Sequence, residues 1–229
     1  MTFNFILFDL DGTLFDYHKA EHKALKKLFE YFHIKGEFDR LRKIYIKINL
    51  STWEEFRNHE ITAEDLKTKR FKLFSKKLNL NIPPPEFSKM YQKFLAEGTD
   101  LLDGAQEVLT KLKNSNIKMS LITNGLSHVQ NKRLSNSPVL DYFSDVFISE
   151  EIGFAKPHPA IFEHIFKKDE GLDKNKTIII GDNLYSDIKG GKNFGIKTCW
   201  FNPGREENIT DIIPDYQIEN LKQIPEIVI

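Results

Sequence analysis

The segment Phe8-Asp9-Leu10-Asp11-Gly12-Thr13-Leu14 places two carboxylates, Asp9 and Asp11, directly after the apolar run Phe5-Ile6-Leu7-Phe8. Such a run reads as a buried strand, where aspartate is disfavoured and two like charges on one face repel. Three further segments bring polar groups to comparable positions. They are Thr123-Asn124-Gly125 after the run 118–122, Lys156 in Phe154-Ala155-Lys156-Pro157-His158-Pro159, and Gly181-Asp182-Asn183 after the run 177–180, with Asp187 one helical turn on. Ligands of an open parallel sheet bind beyond the carboxyl ends of its strands. If these runs share one such sheet, four segments deliver carboxylates, one ammonium and one hydroxyl to a single edge.

Charge arithmetic says what that edge requires. Two unit charges about 4 Å apart repel by about 4 kcal/mol at an effective dielectric of roughly 20. Asp9, Asp11, Asp182 and Asp187 therefore cluster only with a cation. Hard oxygen donors with few imidazoles favour Mg²⁺, which takes one or two protein carboxylates together with a substrate phosphate. Lys156, Thr123 and the backbone amides after Asp9 suit the remaining phosphoryl oxygens. Singly, each segment also has an ordinary structural reading. Asp9-x-Asp11 passes as a strand end and turn, Lys156 as a solvated loop lysine, Thr123-Asn124-Gly125 as a turn, Gly181-Asp182 as a strand exit and Asp187 as a partner of a helix dipole. Their shared position on one sheet edge favours the common site.

The elements that must position these residues follow from periodicity. Ala24, Leu25, Leu28, Phe29 and Phe32 share one helical face, and Phe38, Leu41, Tyr45 and Ile48 another. Thr62-Ala63-Glu64-Asp65 has the form of a capping box opening a helix through Leu66, Arg70, Phe74 and Leu78. After Pro83-Pro84-Pro85, a stripe of Phe87, Met90, Tyr91, Phe94 and Leu95 predicts a fourth helix. From about Leu101 helices alternate with strands at 118–123, 145–148, 177–180 and 197–201, with a helix expected from about Ser186. That alternation predicts an α/β fold, a doubly wound, Rossmann-like parallel sheet. A crossover needs only about 10–12 residues, so the helical stretch between the first strand and the rest reads as an insertion. The expected division is a core of 1–16 with 98–229 and a helical domain of 17–97.

Composition bounds the partners. The 229 residues carry 33 basic and 33 acidic side chains, so no net charge argues for a nucleic-acid polymer or a membrane surface. No segment approaches the ~20 apolar residues of a membrane helix. The single cysteine, Cys199, excludes an internal disulfide and a cysteine-rich zinc site, which suits a reducing cytoplasm. Oligomeric state is left open by the sequence.

Taken in order, these segments resemble the four motifs of the haloacid-dehalogenase-like hydrolase superfamily. Asp9-Leu10-Asp11-Gly12-Thr13-Leu14 looks like the first, Ile122-Thr123-Asn124-Gly125 the second, Lys156-Pro157 with Ile161-Phe162 the third, and Gly181-Asp182-Asn183-Leu184-Tyr185-Ser186-Asp187 the fourth. The helical insertion is similar to that family's first cap type. The resemblance implies Asp9 as a nucleophile forming an aspartyl-phosphate and Asp11 as general acid and then base. It implies Mg²⁺ on the Asp9 carboxylate, the Asp11 carbonyl and Asp182, supported less directly by Asp187 and Asn183. Thr123, Asn124 and Lys156 would bind the phosphoryl group. An acid at position 11 favours phosphoryl transfer over displacement of halide from carbon.

A finer likeness lies in Ile196-Lys197-Thr198-Cys199-Trp200-Phe201-Asn202-Pro203-Gly204 and Pro214-Asp215-Tyr216-Gln217-Ile218. These stretches resemble the bacterial pyrimidine 5′-nucleotidase subfamily, and so imply a pyrimidine nucleoside monophosphate as substrate. The alternatives are a phosphatase of phosphoglycolate or a sugar phosphate, or a sugar-phosphate mutase. Trp200 and Tyr216 are expected to pack rather than to stack on a base. The helical domain is expected to select the leaving group, without particular residues being singled out.

Overall fold

The computed structural model describes residues 3–57 and 60–229. The chain divides into two compact units, His18–Gly98 and Met1–Tyr17 with Thr99–Ile229.

The first of these is helical, built on α1 (Tyr17–Tyr31), α2 (Phe38–Arg57), α3 (Ala63–Leu78) and α4 (Pro84–Leu95). The apolar stripe of α1 buries Ala24, Leu25, Leu28 and Phe29. Thr62 and Asp65 close a reciprocal capping box on α3, each side chain accepting the other's backbone N–H at 3.1 Å. The α3 helix stops at Asn79, whose left-handed φ of +52° ends it without glycine. Its interior is aromatic: Phe29 stacks on Phe74 at 5.6 Å, and Tyr45, Phe71, Phe87 and Tyr91 are fully buried. Burial of each such ring is worth roughly 1.5–3 kcal/mol in transfer free energy.

The other unit is a six-stranded sheet of β1 (Phe5–Phe8), β2 (Lys118–Thr123), β3 (Asp145–Ile148), β4 (Thr177–Gly181), β5 (Lys197–Phe201) and β6 (Tyr216–Ile218). All pairs are parallel, in the order β3-β2-β1-β4-β5-β6. Successive residues of β1 enter opposite faces. Ile6 and Phe8 pack with Met119, Leu121, Ile178 and Ile180, whereas Phe5 and Leu7 pack with Ile122, Ile179 and Phe162. Both faces are covered, so the central strands β1 and β4 are apolar almost throughout rather than alternating. Helix α5 (Ala105–Asn114) lends Val108, Leu109 and Leu112 to one face. The loop after β2 leads into α6 (Ser127–Ser135), and α7 (Ser149–Ile152) follows β3 directly. Helix α8 (Pro159–Lys168) and α9 (Lys189–Phe194) cover the second face with Ile161, Phe162, Ile165 and Phe194.

The helix expected from about Ser186 is present, but it opens with a wide π-type turn over Leu184–Ile188 that runs directly into α9 at Lys189. Asn183 is the cause. Its Oδ1 accepts from the backbone N–H of Tyr185 and Ser186 at 3.0 and 2.9 Å, and its carbonyl accepts from Asp187 and Ile188. The wide turn aims Asp187 inward, fully buried, rather than along a helix surface. Strands β1 and β4 are neighbours from which the order runs outward in both directions. That switch point is where an open α/β sheet forms its binding crevice.

Candidate active site

Asp9 is the first residue past β1, and its amide extends the ladder by donating to Ile180 O at 2.9 Å. The backbone then reverses through Gly12, where φ is +88°. Glycine is required there twice over: the φ is left-handed, and a Cβ would lie 2.4 Å from Asp182 Oδ2. Thr13, fully buried beside it, donates to Asp9 Oδ2 at 3.2 Å and accepts from the Asp182 amide at 3.1 Å. One hydroxyl thus ties the end of β1 to the end of β4.

The β4 exit is shaped by the same close approach. A Cβ on Gly181 would lie 2.3 Å from Asp187 Oδ2, so glycine makes room for that carboxylate. Asp187 Oδ2 accepts from the Asn183 amide at 3.1 Å. The Asp182 carbonyl accepts the indole N–H of Trp200 at 2.8 Å. Trp200 is buried on β5, as its expected packing role requires, and its N–H also fixes the backbone carrying Asp182.

Lys156 comes in from the loop before α8, 3 % exposed. Its Nζ lies 2.6 Å from Asp9 Oδ1 and 2.6 Å from Asp187 Oδ1, and donates to Ile122 O at 2.8 Å. Asn124 holds the loop in place: its side chain donates to Lys156 O and accepts from Lys156 N, both at 2.9 Å. The Asn124 side chain is therefore committed to positioning Lys156.

Oxygens of Asp9, Asp182 and Asp187 lie within 4.8 Å of one another. Burial pushes the Asp9 carboxyl up to about 7, against the pull of Lys156 and with further push from the carboxylates of Asp187 and Asp11. Burial, then Asp9 and Asp187, hold Asp182 well above the usual carboxylate range. Burial pulls the Lys156 ammonium the other way, but Asp187 and Asp9 outweigh it and raise its pKa above that of an ordinary lysine. Three carboxylates face one ammonium, a local excess of negative charge. The donor set is all oxygen, without imidazole or thiolate, and fits a hard divalent cation such as Mg²⁺.

Asp11 lies elsewhere. Its carboxylate is not one of the clustered three and is met by a guanidinium. Oδ1 pairs with Nη1 of Arg133, and Oδ2 accepts from Gln130 Nε2 at 2.6 Å. Arg133 is fully buried, with its guanidinium 4.7 Å over the ring of Phe15. Thr123, at the end of β2, accepts from Gln130 Nε2 at 3.0 Å and from the Gly125 amide at 3.2 Å. Sequence reasoning names neither Gln130 nor Arg133. Both belong to α6, whose nine residues include only two aliphatic side chains, Val129 and Leu134, and so carry no periodic stripe. Among the described residues, no helix is long and apolar enough to cross a membrane.

Comparison with known proteins is consistent across sequence and structure. The model of the haloacid dehalogenase-like hydrolase family matches residues 6–201. The chain is 36% identical over 219 residues to the HAD-hydrolase named YfnB of Bacillus subtilis, covering 96% of this chain and 92% of that one. It is 33% identical to the pyrimidine 5′-nucleotidase PynA of Streptococcus pneumoniae (98% and 94% covered) and 30% identical to the pyrimidine 5′-nucleotidase YjjG of Escherichia coli (99% and 98%). A crystal structure of the B. subtilis protein, described as bound to magnesium, superposes with a TM-score of 0.94 at 35% identity, covering 100% of this chain and 99% of that one. An L-2-haloacid dehalogenase from Xanthobacter autotrophicus shares the fold at TM-score 0.78 and 19% identity, covering 100% and 98%.

Proposed function

As this chain belongs to the haloacid dehalogenase-like hydrolase family and aligns with two proteins named pyrimidine 5′-nucleotidases, we propose that it is a Mg²⁺-dependent 5′-nucleotidase of pyrimidine nucleoside monophosphates. The observation that carries the chemistry is Asp9 itself. It is a buried carboxylate at a strand end, with an ammonium 2.6 Å from one oxygen and two further carboxylates at hand. The substrate class rests on the two pyrimidine 5′-nucleotidases that align over nearly the full chain.

A carboxylate oxygen of Asp9 attacks phosphorus, and the P–O bond to the nucleoside breaks as Asp11 gives the departing oxygen a proton. Asp11 then takes a proton from water, whose oxygen attacks the same phosphorus, releasing phosphate and restoring Asp9. Lys156 offsets charge on the phosphoryl oxygens while its remaining contacts keep Asp187 and Asp9 in register. Thr123 donates to a phosphoryl oxygen, and Asn124 acts by holding Lys156. Asp9, Asp182 and the Asp11 carbonyl would hold Mg²⁺, with Asp187 and Asn183 behind them. Bound magnesium supplies positive charge that draws the phosphoryl group to Asp9 and offsets charge on its oxygens. The unit His18–Gly98 is the proposed cap domain, taken to select the leaving group. The single buried cysteine, Cys199, suits the reducing cytoplasm in which nucleoside monophosphates are found.

A panel of phosphate esters, assayed with Mg²⁺ and with EDTA, tests this. UMP and dTMP are expected near the top, with turnover lost in EDTA. A sugar phosphate or phosphoglycolate far ahead of every nucleotide would overturn the substrate class, and full turnover in EDTA would overturn the metal.

A further inference from the structure

Gln130 and Arg133 lie one turn apart on α6 and are 1 % and 0 % exposed, where a helix ordinarily buries aliphatic side chains. The Gln130 amide is held on both sides. Its Nε2 donates to Asp11 Oδ2 at 2.6 Å and to Thr123 Oγ1 at 3.0 Å, while its Oε1 accepts from Arg133 Nη1 at 3.0 Å. A guanidinium can only donate, so the amide oxygen must face Arg133 and the amide nitrogen must face Asp11 and Thr123. Gly125 makes room for it, since a Cβ there would lie 2.2 Å from Gln130 Nε2.

A threonine hydroxyl has two acceptor positions and one proton. Thr123 Oγ1 accepts twice, from Gln130 Nε2 and from the Gly125 amide, so both acceptor positions are filled and the proton is what it has to give. A phosphoryl oxygen is purely an acceptor. We propose that Gln130 is a positioning residue that fixes the Thr123 hydroxyl as a donor toward the phosphoryl group, with Arg133 locking the amide that does so. The inference rests on the phosphatase reading above and adds to it a residue outside the strand-end motifs. A donor aimed in advance needs no reorientation as charge builds on the phosphoryl oxygens, so its effect falls on the transition state.

A double-mutant cycle tests it, with kcat and KM measured on p-nitrophenyl phosphate and on UMP in Mg²⁺. Gln130→Met is expected to lower kcat at least about tenfold with little change in KM, the scale of one hydrogen bond to a charged group. Thr123→Val should lose at least as much. The double variant should then stand within about threefold of Thr123→Val alone, because Gln130 acts through that hydroxyl. A merely structural glutamine would lower thermal stability and add its whole loss on top of Thr123→Val. Gln130→Met within twofold of wild type, or a double variant at the product of the two single losses, overturns the inference. Should Gln130→Met not fold, Gln130→Leu, which also removes the N–H without adding charge beside Asp11, is read against the same outcomes. A wild-type protein inert toward both esters would instead sink the phosphatase reading, and this inference with it.

Discussion

Lys156 Nζ donates to Asp9 Oδ1 at 2.6 Å, with both groups buried at the carboxyl end of the sheet. The same ammonium pairs with Asp187, so removing it leaves carboxylates buried without their cation. Breaking a buried pair from one side typically costs about 3–5 kcal/mol. Lys156→Met should therefore lower stability by about 3 kcal/mol in urea unfolding at pH 7, and should abolish phosphate release. Because the lysine's pKa is raised in the folded state, its contribution is complete below the ordinary lysine pKa and fades only as pH rises through the higher value. The loss should nevertheless grow from pH 6 to pH 8, because burial holds the Asp9 carboxyl at about 7 and only its ionised form is left without its cation. Unchanged stability would contradict the ion pairing.

Gly12 concentrates two constraints in one residue, a φ of +88° and an approach to Asp182 that leaves no space for a Cβ. Gly12→Ala should cost roughly 1–3 kcal/mol of backbone strain. It should also displace Asp182 and raise the Mg²⁺ concentration needed for half-maximal turnover at least several-fold. A variant with wild-type magnesium dependence would show that Asp182 does not need its present place.

Trp200 offers a milder handle on the same carboxylate. Trp200→Phe keeps the buried ring but removes the indole N–H that the Asp182 carbonyl accepts at 2.8 Å. The lost hydrogen bond is worth roughly 1 kcal/mol. Magnesium titration of turnover should shift its midpoint about threefold to tenfold upward, with UMP and p-nitrophenyl phosphate affected alike. A shift seen only with UMP would mean that the tryptophan touches the nucleoside.

Asp215 provides a stability prediction away from the chemistry. It accepts from the Thr198 amide and hydroxyl at 3.0 and 2.8 Å and pairs with Lys197 and Lys192 at 2.8 and 3.1 Å. Burial works to raise its pKa, but those contacts outweigh it and hold the carboxyl at about 2. A depressed folded-state pKa stabilises above the unfolded value near 3.8 and loses that contribution as pH falls toward about 2. With both lysines largely solvated, screening limits the effect to roughly 1 kcal/mol. Asp215→Asn should therefore unfold at lower urea than wild type at pH 7 and at pH 5, with the gap narrowing below pH 4. A gap that widened on acidification would reverse the sign.

What could be read in the sequence divides along physical lines. The strands are short runs covered on both faces, so their apolar continuity and the polar residues at their ends stand out without tertiary information. Asp9, Thr123 and Asp182 occupy such ends, and Lys156 follows a glycine-containing loop into a proline-started helix. Helix α6 gave no such signal. Its inward face is Gln130 and Arg133, polar residues that periodicity assigns to solvent, and only the three-dimensional placement of Asp11 and Thr123 explains them. The π-type turn at Leu184–Ile188 was hidden for a similar reason, since it depends on one Asn183 side chain outcompeting an ordinary helical start. Tyr216 packs edge-on against Phe3 at 6.3 Å, whereas Trp200 combines packing with a polar contact that no spacing rule reveals.

As the proposed nucleophile, Asp9 should become phosphorylated during turnover. Borohydride added to the enzyme while it hydrolyses UMP with Mg²⁺ would reduce an aspartyl-phosphate to homoserine, which peptide mass spectrometry locates. Homoserine is expected at position 9 and nowhere else, absent without substrate and absent in Asp9→Asn. Steady turnover with position 9 unmodified, or with the label on another carboxylate, would contradict it.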